Sequence, residues 1–135
     1  MPRNPLHDVA IVGVYNTPQA RVLPDWTEPA LLIDAIRGGL DDAGLKPQDV
    51  DGVSLHSWVW RMSSREGAFL LGGGEPCWTG AEHGIAGVLE AASAIAVGQC
   101  LRTMCHTTVT GDWTSSAASI FGALASSVTA VVRRT

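Results

Sequence analysis

Charge is the scarcest thing in this sequence. Asp, Glu, Lys and Arg make up 16% of its 135 residues, against 46% apolar ones, where ordinary domains run near a quarter charged. So little charge in a small domain points to apolar surface meant to meet another protein. Clustered positive charge is missing as well. The formal net charge is −4, the nine Lys and Arg are scattered, and Arg133-Arg134 is their one doublet. Nothing here suits counterion release from a polyanion, which excludes nucleic acid and anionic membrane as expected partners. Long hydrophobic runs are lacking too. The richest stretch, Ile85 to Cys100, is broken by Glu90, Ser93, Gly98 and Gln99, well short of the roughly 18 apolar residues a membrane helix needs. Val9-Ala10-Ile11-Val12 is too short for a signal peptide's core, so the expectation is a soluble, cytoplasmic protein. Cys77, Cys100 and Cys105 form no CxxC pair and leave an odd one over. That argues against a disulfide framework or a metal site, and for buried structural thiols. Phosphate-binding glycine patterns are absent; Gly72-Gly73-Gly74 has neither the lysine nor the strand–helix setting and reads as a loop.

What is present alternates between strand and helix. The length fits one domain, residues 1–135. Val9 to Val14 is a continuous apolar run with β-branched residues, as in a strand buried on both faces. Asn16-Thr17-Pro18-Gln19 ends it with turn chemistry. Thr27 can cap a helix with Pro29 in its first turn, and Leu32, Ile33, Ile36, Leu40 and Ala43 recur at helical spacing. Gly44 then supplies a left-handed C′ residue, with Leu45 folding back. Gly52 to Ser57 reads as a second strand, and β-α-β at this spacing predicts a parallel pair with a right-handed crossover. Trp58 and Trp60 alternate on one face. A short helix falls between Trp58 and Gly74, and a brief strand at Pro76-Cys77-Trp78. A helix follows, with Ile85, Val88, Leu89, Ala92 and Ile95 as its apolar stripe and Gly84, Gly87 and Ala91 allowing close approach. Thr103 to Thr110 reads as a strand, Thr114 to Leu124 as a weak helix and Val128 to Val132 as a last strand.

Three segments together resemble the thiolase superfamily, within it the lipid-transfer or sterol-carrier-type branch. They are Val9 to Pro18, then Leu40-Asp41-Asp42-Ala43-Gly44-Leu45-Lys46-Pro47-Gln48-Asp49-Val50-Asp51-Gly52-Val53, and Gly84-Ile85 through Ala91-Ala92, Ala94-Ile95 and Gly98-Gln99. The likeness covers most of residues 8 to 100 and thins from Leu101 onward. It implies an α/β fold: a thiolase-like N-terminal half, a mixed, mostly parallel sheet with helices on both faces. In the family the nucleophilic cysteine opens the helix of the third segment. The pattern Cys-Ala-Ser-Gly ends on Gly84, which puts Ala81 at the nucleophile position. Alanine has no lone pair with which to form an acyl-enzyme. Cys77 lies four residues upstream and is a remote stand-in.

A helix N-terminus there still offers N–H groups and positive dipole character to a thioester oxygen or carboxylate, and Gly84 is a candidate ligand contact. Glu82 and His83 are the acid–base groups nearest the spot. Each also has a plain reading, Glu82 as complement to the helix dipole and His83 as a solvated first-turn residue. His56 and His106, on strands, read as sheet histidines before catalytic ones. The family's other acid–base residues belong to a C-terminal half that repeats the topology of the first.

Three functions stay open on these grounds. One is an acyl-CoA-handling domain, with acyl-CoA as ligand and no tightly bound cofactor. It would belong to a C–C bond-forming or retro-aldol-cleaving enzyme of lipid or steroid acyl-CoA, inactive as a thiolase by itself. Its implied partners are a complementary C-terminal half and a small OB-fold, acyl-CoA-binding protein, in a homo- or hetero-oligomer. Another is a non-catalytic interaction module, docking through the helix from Ala81 to Gly98 or the strand at Pro76 to Trp78, which in the family lies at the dimer interface. The last is a truncated reading frame, whose final third would not pack.

Overall fold

The computed structural model describes residues 4–20, 24–57, 63–70, 72–82, 84–109 and 126–135. Its elements are β1 (Val9–Asn16), α1 (Glu28–Asp42), β2 (Gly52–Ser57), α2 (Ser64–Leu70), β3 (Trp78–Gly80), α3 (Gly84–Ala96), β4 (Arg102–Val109) and β5 (Ser126–Arg134). Short 3₁₀ turns at Pro5–Asp8 and Pro47–Asp49 lead into β1 and β2. Trp58, Trp60 and the expected helix from Thr114 to Leu124 lie outside the described residues.

Helix α1 forms for the local reasons its sequence carries. The Thr27 side chain accepts the Ala30 amide at 3.3 Å, which satisfies one of the donors a helix start leaves open. At the other end Gly44 adopts φ 65°. Its amide reaches the Asp41 carbonyl while that of Leu45 reaches Leu40, the paired closure of a Schellman ending. Ser63 and Glu66 form a reciprocal cap on α2, amide to carboxylate and amide to hydroxyl.

The sheet order is β1-β5-β4-β2-β3. β4, β2 and β3 pair in parallel, while β5 is antiparallel to both β4 and β1. Four strands therefore run one way and β5 opposes them, the expected mixed and mostly parallel sheet. Two expectations about β1 fail. It does not neighbour β2, because β5 and β4 lie between them. Nor is it buried on both faces: it is an edge strand, with Ile11 55% and Val14 58% exposed. A bulge between Ile11 and Gly13 accompanies an outward turn of the Val14 amide, which donates to the Asp42 carboxylate at 2.9 Å. That contact occupies one edge donor and gives a role to an acid that is unfavourable at a helix C-terminus.

Helices cover both faces. On one, Leu32, Ile36 and Leu40 of α1 and Ala68 of α2 pack with Val53, Leu55, Met104 and Val131. On the other, Ala91, Ala94 and Ile95 of α3 pack with Cys100, Cys105 and Val132. Val131 and Val132 of β5, at 0% and 1% exposure, enter one core each.

The α3 stripe needs a correction. Gly87, Ala91, Ala94 and Ile95 are the buried residues, while Ile85 is 81% and Leu89 56% exposed. Beside Ile95, small side chains take the inner face because they let the helix lie close to the sheet, and Ile85 and Leu89 are turned outward. The strand β3 also begins two residues later than its expected Pro76 start. No described helix is long and apolar enough to cross a membrane.

Candidate active site at the head of α3

The candidate residues come together where β3 turns into α3. Gly80 ends the strand, Ala81 and Glu82 form the turn, and Gly84 opens the helix with φ 57°. Both turn residues are exposed. His83 lies outside the described residues. His56 and His106 fall on β2 and β4, their side chains outside the described part as well.

Two groups missed by the sequence reading hold this turn. The hydroxyl of Ser54, 1% exposed on β2, donates to the Glu82 carbonyl at 3.0 Å. Glu90, two turns into α3, folds back so that its carboxylate accepts the amides of Ala81 at 3.3 Å and Glu82 at 3.2 Å. These two amides, in the turn just before α3, are thus occupied by the chain's own carboxylate. Glu90 had one signal in the sequence: it is the single charged residue of the thirteen in α3. Gly87 lets the turn approach; a Cβ there would stand 2.7 Å from the Glu82 carbonyl oxygen.

The cysteines divide. Cys100 and Cys105 are buried and free, as expected, whereas Cys77 is exposed. The Cys77 thiol donates to the carbonyls of Asp51 and Gln99 at 3.1 and 3.2 Å. It lies before β3, at the other end of that strand from Ala81. Burial pushes the Cys105 thiol up to about 12, with the nearby Glu90 charge adding to the shift, and burial raises Cys100 as well. Neither suits a nucleophile, which reacts as a thiolate.

The shift has a consequence for stability. An unfolded Cys105 ionises near its ordinary value of about 8.5, while the folded thiol keeps its proton until about 12. Its contribution is therefore complete below about pH 8.5 and is lost as pH rises towards 12, by up to about 1.4 kcal/mol per unit. Urea unfolding at pH 8 and pH 10 should show wild type losing more stability than Cys105→Ser. Equal losses would dismiss this account of the buried thiol.

Among the described residues no group of three His, Cys, Asp or Glu is placed to hold a metal ion.

No protein-family model matches the chain, and no curated protein does. Solved structures do match. The Ltp2–ChsH2(DUF35) aldolase superposes with a TM-score of 0.73 at 18% identity, over 95% of this chain and 56% of that one. The priming β-ketosynthase of a polyketide biosynthetic pathway gives 0.66 at 20%, over 94% and 50%. A Xanthomonas campestris OleA variant with bound lauric acid and lauroyl-CoA gives 0.70 at 15%, over 94% and 56%. The fold is thiolase-like. This chain spans 50 to 56% of the length of these three neighbours, so the thiolase-like likeness is to about half of each.

Proposed function

We propose that this chain is an acyl-CoA-handling, thiolase-like domain of a C–C bond-forming or retro-aldol-cleaving enzyme of lipid or steroid acyl-CoA, and not a thiolase by itself. The observation that carries the reading is the β3–α3 turn, set in a thiolase-like sheet with Ala81 where the resemblance puts the nucleophile. In open α/β sheets ligands gather at the carboxyl ends of strands, and this turn lies at the carboxyl end of β3. Without a thiol at that point no acyl-enzyme forms on it, and the chemistry left is abstraction of a proton by a base and stabilisation of an enolate. His83 and Glu82 are the base candidates, and acyl-CoA is the ligand.

Two partners belong to the proposal. A complementary C-terminal half is supported by the outward side chains of Ile85, Leu89 and Val97, the last 71% exposed, and by a chain that spans about half of its neighbours. A small OB-fold, acyl-CoA-binding protein is supported by the aldolase neighbour, in which Ltp2 is joined to a DUF35 chain. The assembly is a cytoplasmic oligomer. The same apolar face favours a second reading, an interaction module without turnover.

Thermal unfolding with and without an acyl-CoA tests the binding half of this function. Acetyl-CoA at 100 times its dissociation constant should stabilise the fold by about 2.7 kcal/mol. An unfolding midpoint indifferent to millimolar acetyl-CoA would move the reading to the interaction module. Turnover with the partners present should then disappear in His83→Ala; unchanged turnover would strip His83 of its role.

A further inference from the structure

The carboxylate of Glu90 is the feature of this turn that the proposed function leaves unused. A glycine ten residues upstream makes room for it. Gly80 lacks a side chain where a Cβ would lie 2.8 Å from Glu90 Oε2, 2.7 Å from Ser54 Oγ and 2.7 Å from the Trp78 ring. Any other residue at 80 would expel one of these groups. Ser54 fixes the turn from below through the Glu82 carbonyl, and Glu90 fixes it from the helix side through two amides converging on one oxygen. A charged acceptor binds amides about twice as strongly as a neutral one, and this one is tethered to its donors. A thioester carbonyl, neutral and arriving from solution, competes at a disadvantage on both counts.

We infer that Glu90 is a positioning residue which locks the Ala81–Glu82 turn and keeps its two amides from an incoming acyl thioester. The inference rests on the proposal that acyl-CoA meets this turn, and it adds a control to that site: the amides become available when the carboxylate is withdrawn. Glu90 does not itself touch the reacting atoms. It acts through the backbone it holds.

Amide hydrogen exchange on the whole chain, followed by acetyl-CoA titration of the same signals, tests this in wild type, Glu90→Ala and Glu90→Gln. In Glu90→Ala the amides of Ala81 and Glu82 should exchange at least about tenfold faster, the lower end of what a bond to a charged acceptor contributes. Those of Val131 and Val132 should keep their protection, which also shows that the variant folds. Glu90→Gln retains a carbonyl acceptor of the same length and should restore most of the protection. The freed amides of Glu90→Ala should shift at acetyl-CoA concentrations about tenfold lower than in wild type. Unchanged exchange in Glu90→Ala, or an acetyl-CoA response that is present in both forms and equal in that variant and wild type, would overturn the inference. Accelerated exchange with no response of any form to acetyl-CoA supports the lock and sinks the acyl-CoA reading instead.

Discussion

Ile36→Ala should cost the fold about 3 kcal/mol, and lower its melting temperature by roughly 10 °C. Ile36 is fully buried in α1, between Leu32 and Leu40 of its own helix and the sheet residues Val53, Leu55, Met104 and Val131. The cluster joins α1 and α2 to β2, β4 and β5. A void at its centre therefore loosens four other elements at once. Truncation there forfeits both transfer energy and packing against a cavity that can only partly close. The exposed counterpart is Leu89→Ala on α3. Leu89 is 56% exposed, so in the isolated chain its removal should change stability by less than about 0.5 kcal/mol. Denaturant unfolding of both variants checks the pair. Equal costs would mean that the apolar outer face of α3 is covered in solution, as by a second copy.

That contrast also marks what could be read from sequence. Helix α1 was legible end to end, because Thr27, the spacing of Leu32, Ile36 and Leu40, and Gly44 all act within a few residues of one another. Sheet order was not. Whether β1 lies beside β2 is decided by β5, which returns more than a hundred residues later to pair with β1 and β4, and no local pattern announces that. On α3 hydropathy pointed to Ile85, Leu89 and Ile95; Ile95 is buried, but the rest of the inner face went to Gly87, Ala91 and Ala94. The distance between helix and sheet, a tertiary quantity, made volume outrank hydrophobicity. The candidate site was half legible. Its place at Ala81 and Glu82 followed from the resemblance, but Ser54 and Glu90 reach that turn from β2 and from two turns into α3. A hydroxyl in a strand and an acid in a helix carry no sequence mark of such a backbone contact.

Asp51→Ala should cost about 2 to 3 kcal/mol, for a reason that explains the Asp49-Val50-Asp51 run. The Asp49 side chain closes the turn before β2 by accepting the Lys46 amide at 2.8 Å. Asp51 does more. Its carboxylate accepts the amide of Leu101, at 3.0 and 2.9 Å to its two oxygens, and that of Arg102 at 2.7 Å. Its carbonyl accepts the Cys77 amide at 2.8 Å, and its own amide donates to the Arg102 carbonyl. One residue thus ties the starts of β3 and β4 to β2 and sets the register in which Gly52 pairs with both Trp78 and Thr103. Alanine strands two amides whose acceptor was charged, and half-exposure lets water recover part of the loss. Asn keeps one oxygen acceptor without the charge and should cost less than half as much. Equilibrium unfolding of the two variants measures both numbers; an alanine variant within about 0.5 kcal/mol of wild type would show that these bonds add nothing net. Asp51 lies at the amino end of β3 and the Glu90 lock at its carboxyl end. Asp51→Ala should therefore speed exchange at Ala81 and Glu82 only as far as global unfolding does, whereas Glu90→Ala opens those amides in a fold that stays intact. The two variants separate the loss of the scaffold from the release of the site.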